Sequence, residues 1–152
     1  MTQRSSFPIL VLLLLAGLNA CSQPLTVEQR IIASIREMEA KVEAGERRSF
    51  MEHIAEDFTG QGGAMTKEQA RALFIYQLNR HQRLQAQLFP IHVTESSETT
   101  AMAKFNALVT GGPNWLPDSG QVFEFETDWR LVDDEWYLYA ANWTPGLPGE
   151  VY

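Results

Sequence analysis

The chain has 152 residues, 45% of them hydrophobic, and 12 basic against 19 acidic side chains give a formal net charge of −7. That suits one compact domain with its own core and argues against a surface for nucleic acid or anionic membrane. The only cysteine, Cys21, rules out an intramolecular disulfide, and His53, His81 and His92 are too scattered for a zinc or iron site, so no metal or cofactor is expected.

Arg4 precedes an apolar run from Ile9 to Leu18, too short to span a bilayer comfortably and the right length for a signal-peptide core. The run ends in Leu18-Asn19-Ala20-Cys21, which resembles the lipobox of bacterial lipoproteins. The resemblance implies a signal peptide over residues 1–20, cleavage before Cys21, and acylation of its sulfur and new amino group with palmitate-type chains. Ser22 in place of an aspartate implies sorting to the outer membrane, with the domain facing the periplasm. An ordinary secretory peptide and an uncleaved anchor are the alternatives. Residues 21–25 are then the lipidated cysteine and a short linker, which at about 3.3 Å per residue reaches less than about 20 Å. The anchor at Cys21 thus makes the membrane a partner and holds the domain close to it.

Thr26-Val27-Glu28-Gln29 has the form of a capping box, and Ile31, Ile32, Ile35, Met38 and Val42 follow at helical spacing up to a stop at Gly45. A second box, Ser49-Phe50-Met51-Glu52, predicts a short helix with Phe50, Ile54 and Phe58 on one side, running out at Gly60. Thr66-Lys67-Glu68-Gln69 starts a third, longer helix with Ala70, Leu73, Phe74, Gln77, Leu78 and His81 along one stripe.

The period then changes to two. Phe89, Ile91 and Val93 predict an edge strand, Glu95 to Thr99 a turn, and Ala101, Ala103, Phe105, Ala107 and Val109 one face of a second strand. A loop from Gly111 to Gly120, carrying Trp115 and Leu116, leads to the strongest strand signal, Gln121 to Trp143. There Phe123, Phe125, Thr127, Trp129 and Leu131 alternate with Glu124, Glu126, Asp128 and Arg130, and a tight turn at Asp133-Asp134 places Leu131 opposite Trp136 and Trp129 opposite Leu138. Residues 144–152 read as an irregular tail. Three helices followed by a four-strand meander predict an α+β fold, with three N-terminal helices packed on a curved antiparallel sheet.

This order of elements, Ala55-Glu56-Asp57-Phe58, and the final Trp129-Arg130-Leu131…Asp134-Glu135-Trp136 hairpin look like the nuclear transport factor 2-like (NTF2-like, SnoaL/ketosteroid isomerase-like) superfamily over residues 26–143. The resemblance implies a cone opening between helices and concave sheet, and dimerisation through the sheet. It also implies a range of roles, from isomerases, polyketide cyclases and dehydratases to non-catalytic binding domains. Ketosteroid isomerases carry an acidic base shortly after the second helix, whereas Thr59-Gly60-Gln61-Gly62-Gly63 here has no acid, which argues against that chemistry.

Few residues carry candidate chemistry. His53 and Asp57 are four apart on the predicted second helix, where the carboxylate would orient the imidazole as a general base or merely form an exposed pair. His81 lies in the apolar stripe of the third helix and would offer a polar group to a ligand, beside Tyr76, unless it is a core histidine. Phe105, Phe125, Trp129 and Leu138 would line an apolar pocket if the first helix does not fill that space. Tyr137, Tyr139 and Trp143 form an aromatic stripe on the opposite face, suited to a homodimer or partner interface. The expected function is that of an envelope lipoprotein whose NTF2-like domain is a non-catalytic module for an apolar small molecule or an envelope protein, with no nucleic-acid partner. The alternative is an isomerase, cyclase or dehydratase-type enzyme using the His/Asp pair.

Overall fold

In the computed structural model, residues 24–81, 83–112 and 119–146 are described; the signal-peptide segment, Cys21, Trp115, Leu116 and the last residues of the tail lie outside them. Helix α1 covers Val27–Ala44. Its capping box forms as the sequence requires, with Thr26 Oγ1 accepting from the Gln29 N–H at 3.2 Å and Gln29 Oε1 accepting from the Thr26 N–H at 3.0 Å. Gly45, at φ 69°, turns the chain out, and the Glu46 N–H then donates to the Lys41 carbonyl at 2.9 Å.

The second predicted helix needs correction. Helix α2 is only Arg47–Glu52, its N-cap is Glu46 without a side-chain cap bond, and the predicted Ser49 capping box does not form. From Ile54 the chain becomes strand β1, Ile54–Gly60. The apolar spacing of Phe50, Ile54 and Phe58 suits a helix, but Ile54 to Gly60 can pair with strand β7, Glu135–Pro145, and does so in parallel, Ile54 beside Leu138 and Gly60 beside Ala141. The pairing extends backwards, as the Leu138 N–H donates to the His53 carbonyl at 2.9 Å. A strand added to an existing hairpin satisfies more backbone than one further helical turn, so tertiary pairing overrides local periodicity.

A short 3-10 turn, Gln61–Gly63, and the two-residue strand β2, Met65–Thr66, lead into α3, Lys67–His81. Thr66 and Gln69 again form a capping box, at 2.9 and 3.4 Å. Two strands replace the one predicted after α3: β3, Leu84–Leu88, and β4, His92–Ser97. Strands β5, Thr100–Gly111, and β6, Ser119–Val132, follow. Among the described residues the sheet has seven strands in the order β2-β1-β7-β6-β5-β3, with β4 also paired to β5. It is therefore mixed rather than wholly antiparallel, because β1 runs parallel to β7, and β1 and β2 separate α2 from α3 in the chain. Helices packed on one curved sheet make the fold α+β.

The β6–β7 hairpin has the predicted register, with Trp129 opposite Leu138 and Leu131 opposite Trp136 across a turn in which Asp133 and Asp134 both have positive φ. Between Asp128 and Trp129 the register shifts, Trp129 pairing with Leu138 and Asp128 with Ala140, so Tyr139 is an extra residue on β7. Beyond that bulge the facing of β7 is reversed relative to simple alternation.

Helix α1 covers the face carrying Trp129. Ile31, Ile35 and Met38 pack there against Ala101, Ala103, Trp129, Trp136 and Leu138 in one buried cluster. The small side chains of β5 let α1 approach closely, and Ile31 and Ala103 are both 0% exposed. The polar groups of this core are largely paired: Trp129 Nε1 donates to Thr127 Oγ1 at 3.0 Å, and that hydroxyl donates to the Ala103 carbonyl at 3.0 Å.

Candidate functional site

Two open depressions stand out. The larger, about 1100 Å³, lies between α2, the start of β1, α3 and the turn end of the β6–β7 hairpin. Met51, Ile54, Ala55, Ile75 and Val132 give it an apolar lining. Five basic side chains, Arg47, Arg48, Lys67, Arg71 and Arg130, surround that lining together with the acids Glu52, Glu56 and Glu68. In a chain of net charge −7 this is a local reversal of sign.

The cations differ in what holds them. Lys67 Nζ donates to the Ile54 carbonyl at 2.7 Å and to Glu56 at 2.8 Å, which fastens the start of α3 onto β1. Arg48 pairs with Glu52 at 3.5 Å. Arg130 grips Asp57 through both terminal guanidinium nitrogens, Nη1 donating to Oδ2 at 2.8 Å and Nη2 to Oδ1. That bond holds the Asp57 carboxyl below the ordinary carboxylate range. Arg47 donates to the neutral Asn79 side chain at 3.1 Å, and Arg71 has no ion pair among the described residues. Two guanidiniums thus reach the groove without a carboxylate of their own.

The smaller depression, about 360 Å³, is lined by Phe89, Phe105, Phe125 and Trp143, with Lys104 and Glu126 at its rim. Phe105 and Phe125 are cross-strand neighbours stacked at 5.2 Å, and Trp143 lies 6.4 Å from Phe125. Nearby Asp128 has its carboxyl pushed above the ordinary range by burial, and Glu126 adds to the shift.

The residues singled out from the sequence do not converge. His53 caps the end of α2 with Nε2 3.8 Å from Glu37, whereas Asp57 stands on β1 and belongs to Arg130, so the expected helical His/Asp pair is not formed. His81 ends α3 half-buried against Gly111, where an added Cβ would sit 2.7 Å from the imidazole Cγ and Nδ1. Tyr76 is 55% exposed, accepts a hydrogen bond from Arg80 at 3.3 Å, and lines neither depression. Trp129 and Leu138 are inside the core under α1, while Phe105 and Phe125 do line a depression.

The aromatic stripe is divided. Tyr137 donates to Glu135 at 2.8 Å and borders the larger groove, and Tyr139 lies 5.6 Å beneath the Arg130 guanidinium. Trp143 pairs with Phe125 and packs against the core cluster, so the bulge at Tyr139 has moved it to the other face, contrary to the alternation that placed it with the tyrosines. The groove cations escaped the sequence reading because they come from three separate elements, α2, α3 and β6. Only the neighbours Arg47 and Arg48 on α2 and the pair Lys67 and Arg71, four apart on α3, lie close in sequence. No group of three or more His, Cys, Asp or Glu with metal-holding geometry occurs among the described residues.

No protein-family model and no curated protein matches the sequence. Solved structures do match in shape. A Novosphingobium aromaticivorans protein provisionally assigned as a scytalone dehydratase superposes with a TM-score of 0.70 at 13% identity, over 79% of this chain and 84% of that one. An NTF2-like protein of unknown function in nutrient uptake from Rhodospirillum rubrum gives 0.61 at 19% identity, over 77% and 98%. An NTF2-like protein of unknown function from Pseudomonas putida gives 0.66 at 12% identity, over 84% and 93%. Likeness at such low identity speaks to architecture and not to activity. The chain has the NTF2-like fold.

Proposed function

We propose that this domain is a non-catalytic binding module and that the groove between α2, α3, β1 and the β6–β7 hairpin is its binding surface. The carrying observation is the distribution of space: the face under α1 is occupied by Ile31, Ile35 and Met38, while the groove presents apolar side chains ringed by cations. The residues that would make an acid–base site support this reading by their separation, since Asp57 is engaged by Arg130 and His53 stands by Glu37. The catalytic alternative is an isomerase, cyclase or dehydratase-type reaction. The His53/Asp57 pair it called for is not formed and His81 lines neither depression, so it draws its support from the dehydratase assignment of one fold relative.

The same proposal includes an envelope setting: lipid attachment at Cys21, a short linker, and a domain facing the periplasm from the outer membrane. Leu18-Asn19-Ala20-Cys21 and the following Ser22 support it. No helix among the described residues is long and apolar enough to cross a membrane.

Native mass spectrometry of the full chain extracted from its host tests the binding reading. Wild type should retain a small molecule that Ile75→Asp, which places a charge in the groove lining, does not. Retention unchanged in that variant, or turnover of the retained molecule that depends on His81, would contradict the reading.

A further inference from the structure

We propose that the groove takes a small amphipathic carboxylate, its apolar body lying on Ile75 and Val132 and its anionic head among the groove cations that lack a carboxylate, Arg47 and Arg71. The inference rests on the binding reading above and adds the class of ligand.

Charge complementarity carries it. Of the five groove cations, Arg48, Lys67 and Arg130 each have a carboxylate partner, at 3.5 Å, 2.8 Å and in the fork with Asp57. Arg47 meets only the neutral amide of Asn79, and Arg71 has no ion pair among the described residues. Their donors are those a planar carboxylate matches two at a time, which a lysine ammonium does not. Beside these heads the groove exposes the apolar side chains of Ile75 and Val132 above the buried Met51 and Ile54, so a ligand charged throughout would leave that apolar surface wet, and a neutral one would forgo the guanidiniums. A long polyanion would meet repulsion from a chain of net charge −7 once it passed the groove. A short anion with an apolar tail satisfies both parts of the site.

The test is calorimetric titration of the full chain in non-ionic detergent with octanoate, octanamide and dihexanoyl phosphatidylglycerol. Arg47→Gln and Arg71→Gln serve as head-group variants, Ile75→Asp as the groove variant, and Arg80→Gln, whose side chain bonds Tyr76 away from the groove, as a control. The expected result is octanoate binding that weakens about tenfold in either head-group variant. It should weaken with added salt, be unchanged in Arg80→Gln, and exceed binding of octanamide by about tenfold. Equal binding of octanoate and octanamide, both abolished by Ile75→Asp, would overturn the carboxylate inference and leave the binding reading standing. Binding of the phospholipid alone would overturn it in favour of a lipid headgroup. Binding of any probe that ignores Ile75→Asp, or no binding at all, would remove the groove from both readings.

Discussion

Replacing Ile31 by alanine tests whether α1 fills the space over the sheet. Ile31 is fully buried and sits in the cluster with Ala101, Ala103 and Trp129. The change deletes three carbons, and at about 0.8 kcal/mol per buried methylene the lost transfer free energy is about 2.4 kcal/mol. Ala101 and Ala103 are too small to swing into the gap, and Trp129 is tied to Thr127 by its indole N–H, so the vacated volume collapses only in part. A cavity contribution of about 1 kcal/mol or more is therefore added, for a total of roughly 3–4 kcal/mol, a large share of the ~5–15 kcal/mol that holds a domain folded. The assay is equilibrium urea unfolding of the full chain followed by tryptophan fluorescence, since Trp129 and Trp136 lie in the affected cluster. Leu73→Ala, at a position 37% exposed, should cost under about 1 kcal/mol and calibrates the scale. An Ile31→Ala loss no larger than that of Leu73→Ala would refute the filled interior and restore an open cone as the place to look for a ligand.

Three further outcomes are expected. Gly111→Ala should destabilise by about 1–3 kcal/mol in urea unfolding, because the new methyl meets His81 Cβ at 2.8 Å, an atom that side-chain rotation cannot move; a loss under about 0.5 kcal/mol would unseat His81 from that contact. Asp128→Asn should raise the melting temperature at neutral pH. The folded-state pKa of Asp128 lies above its unfolded value, so the charged carboxylate opposes folding at higher pH and the cost fades as pH falls through the folded pKa. The gain should therefore vanish in acid below about pH 3.9, and a gain independent of pH would rule out this origin. Cys21→Ala should leave the protein unprocessed or released from the membrane on fractionation, and unchanged retention would exclude lipid attachment at that residue.

Much of the architecture was legible in local patterns. Both capping boxes that depend only on their own turn, at Thr26 and Thr66, form as read, and the alternation along β6 with the Asp133-Asp134 turn accounts for the pairs nearest that turn, Trp129 with Leu138 and Leu131 with Trp136. What was not legible depends on partners distant in sequence. Ile54 to Gly60 carries a helical spacing, and only the waiting edge of β7, some eighty residues later, makes it a strand. Leu84, Ala86 and Leu88 alternate in β3, but the end of α3 lies so close that the helical and strand periods run together there. The extra residue at Tyr139 has no sequence mark, yet it decides the facing of Trp143. The groove shares this character, since Arg47, Lys67, Arg71 and Arg130 become neighbours only once β1 has docked between α3 and the hairpin.

The most direct test of the groove as the binding surface is an amide-resolved NMR titration of the isotopically labelled full chain with octanoate. Perturbed resonances should cluster at Arg47 to Glu56, Lys67 to Ile75 and Arg130 to Tyr137, which line the groove. Perturbations centred on Phe105, Phe125 and Trp143, with the groove unmoved, would place binding at the aromatic depression and contradict the assignment.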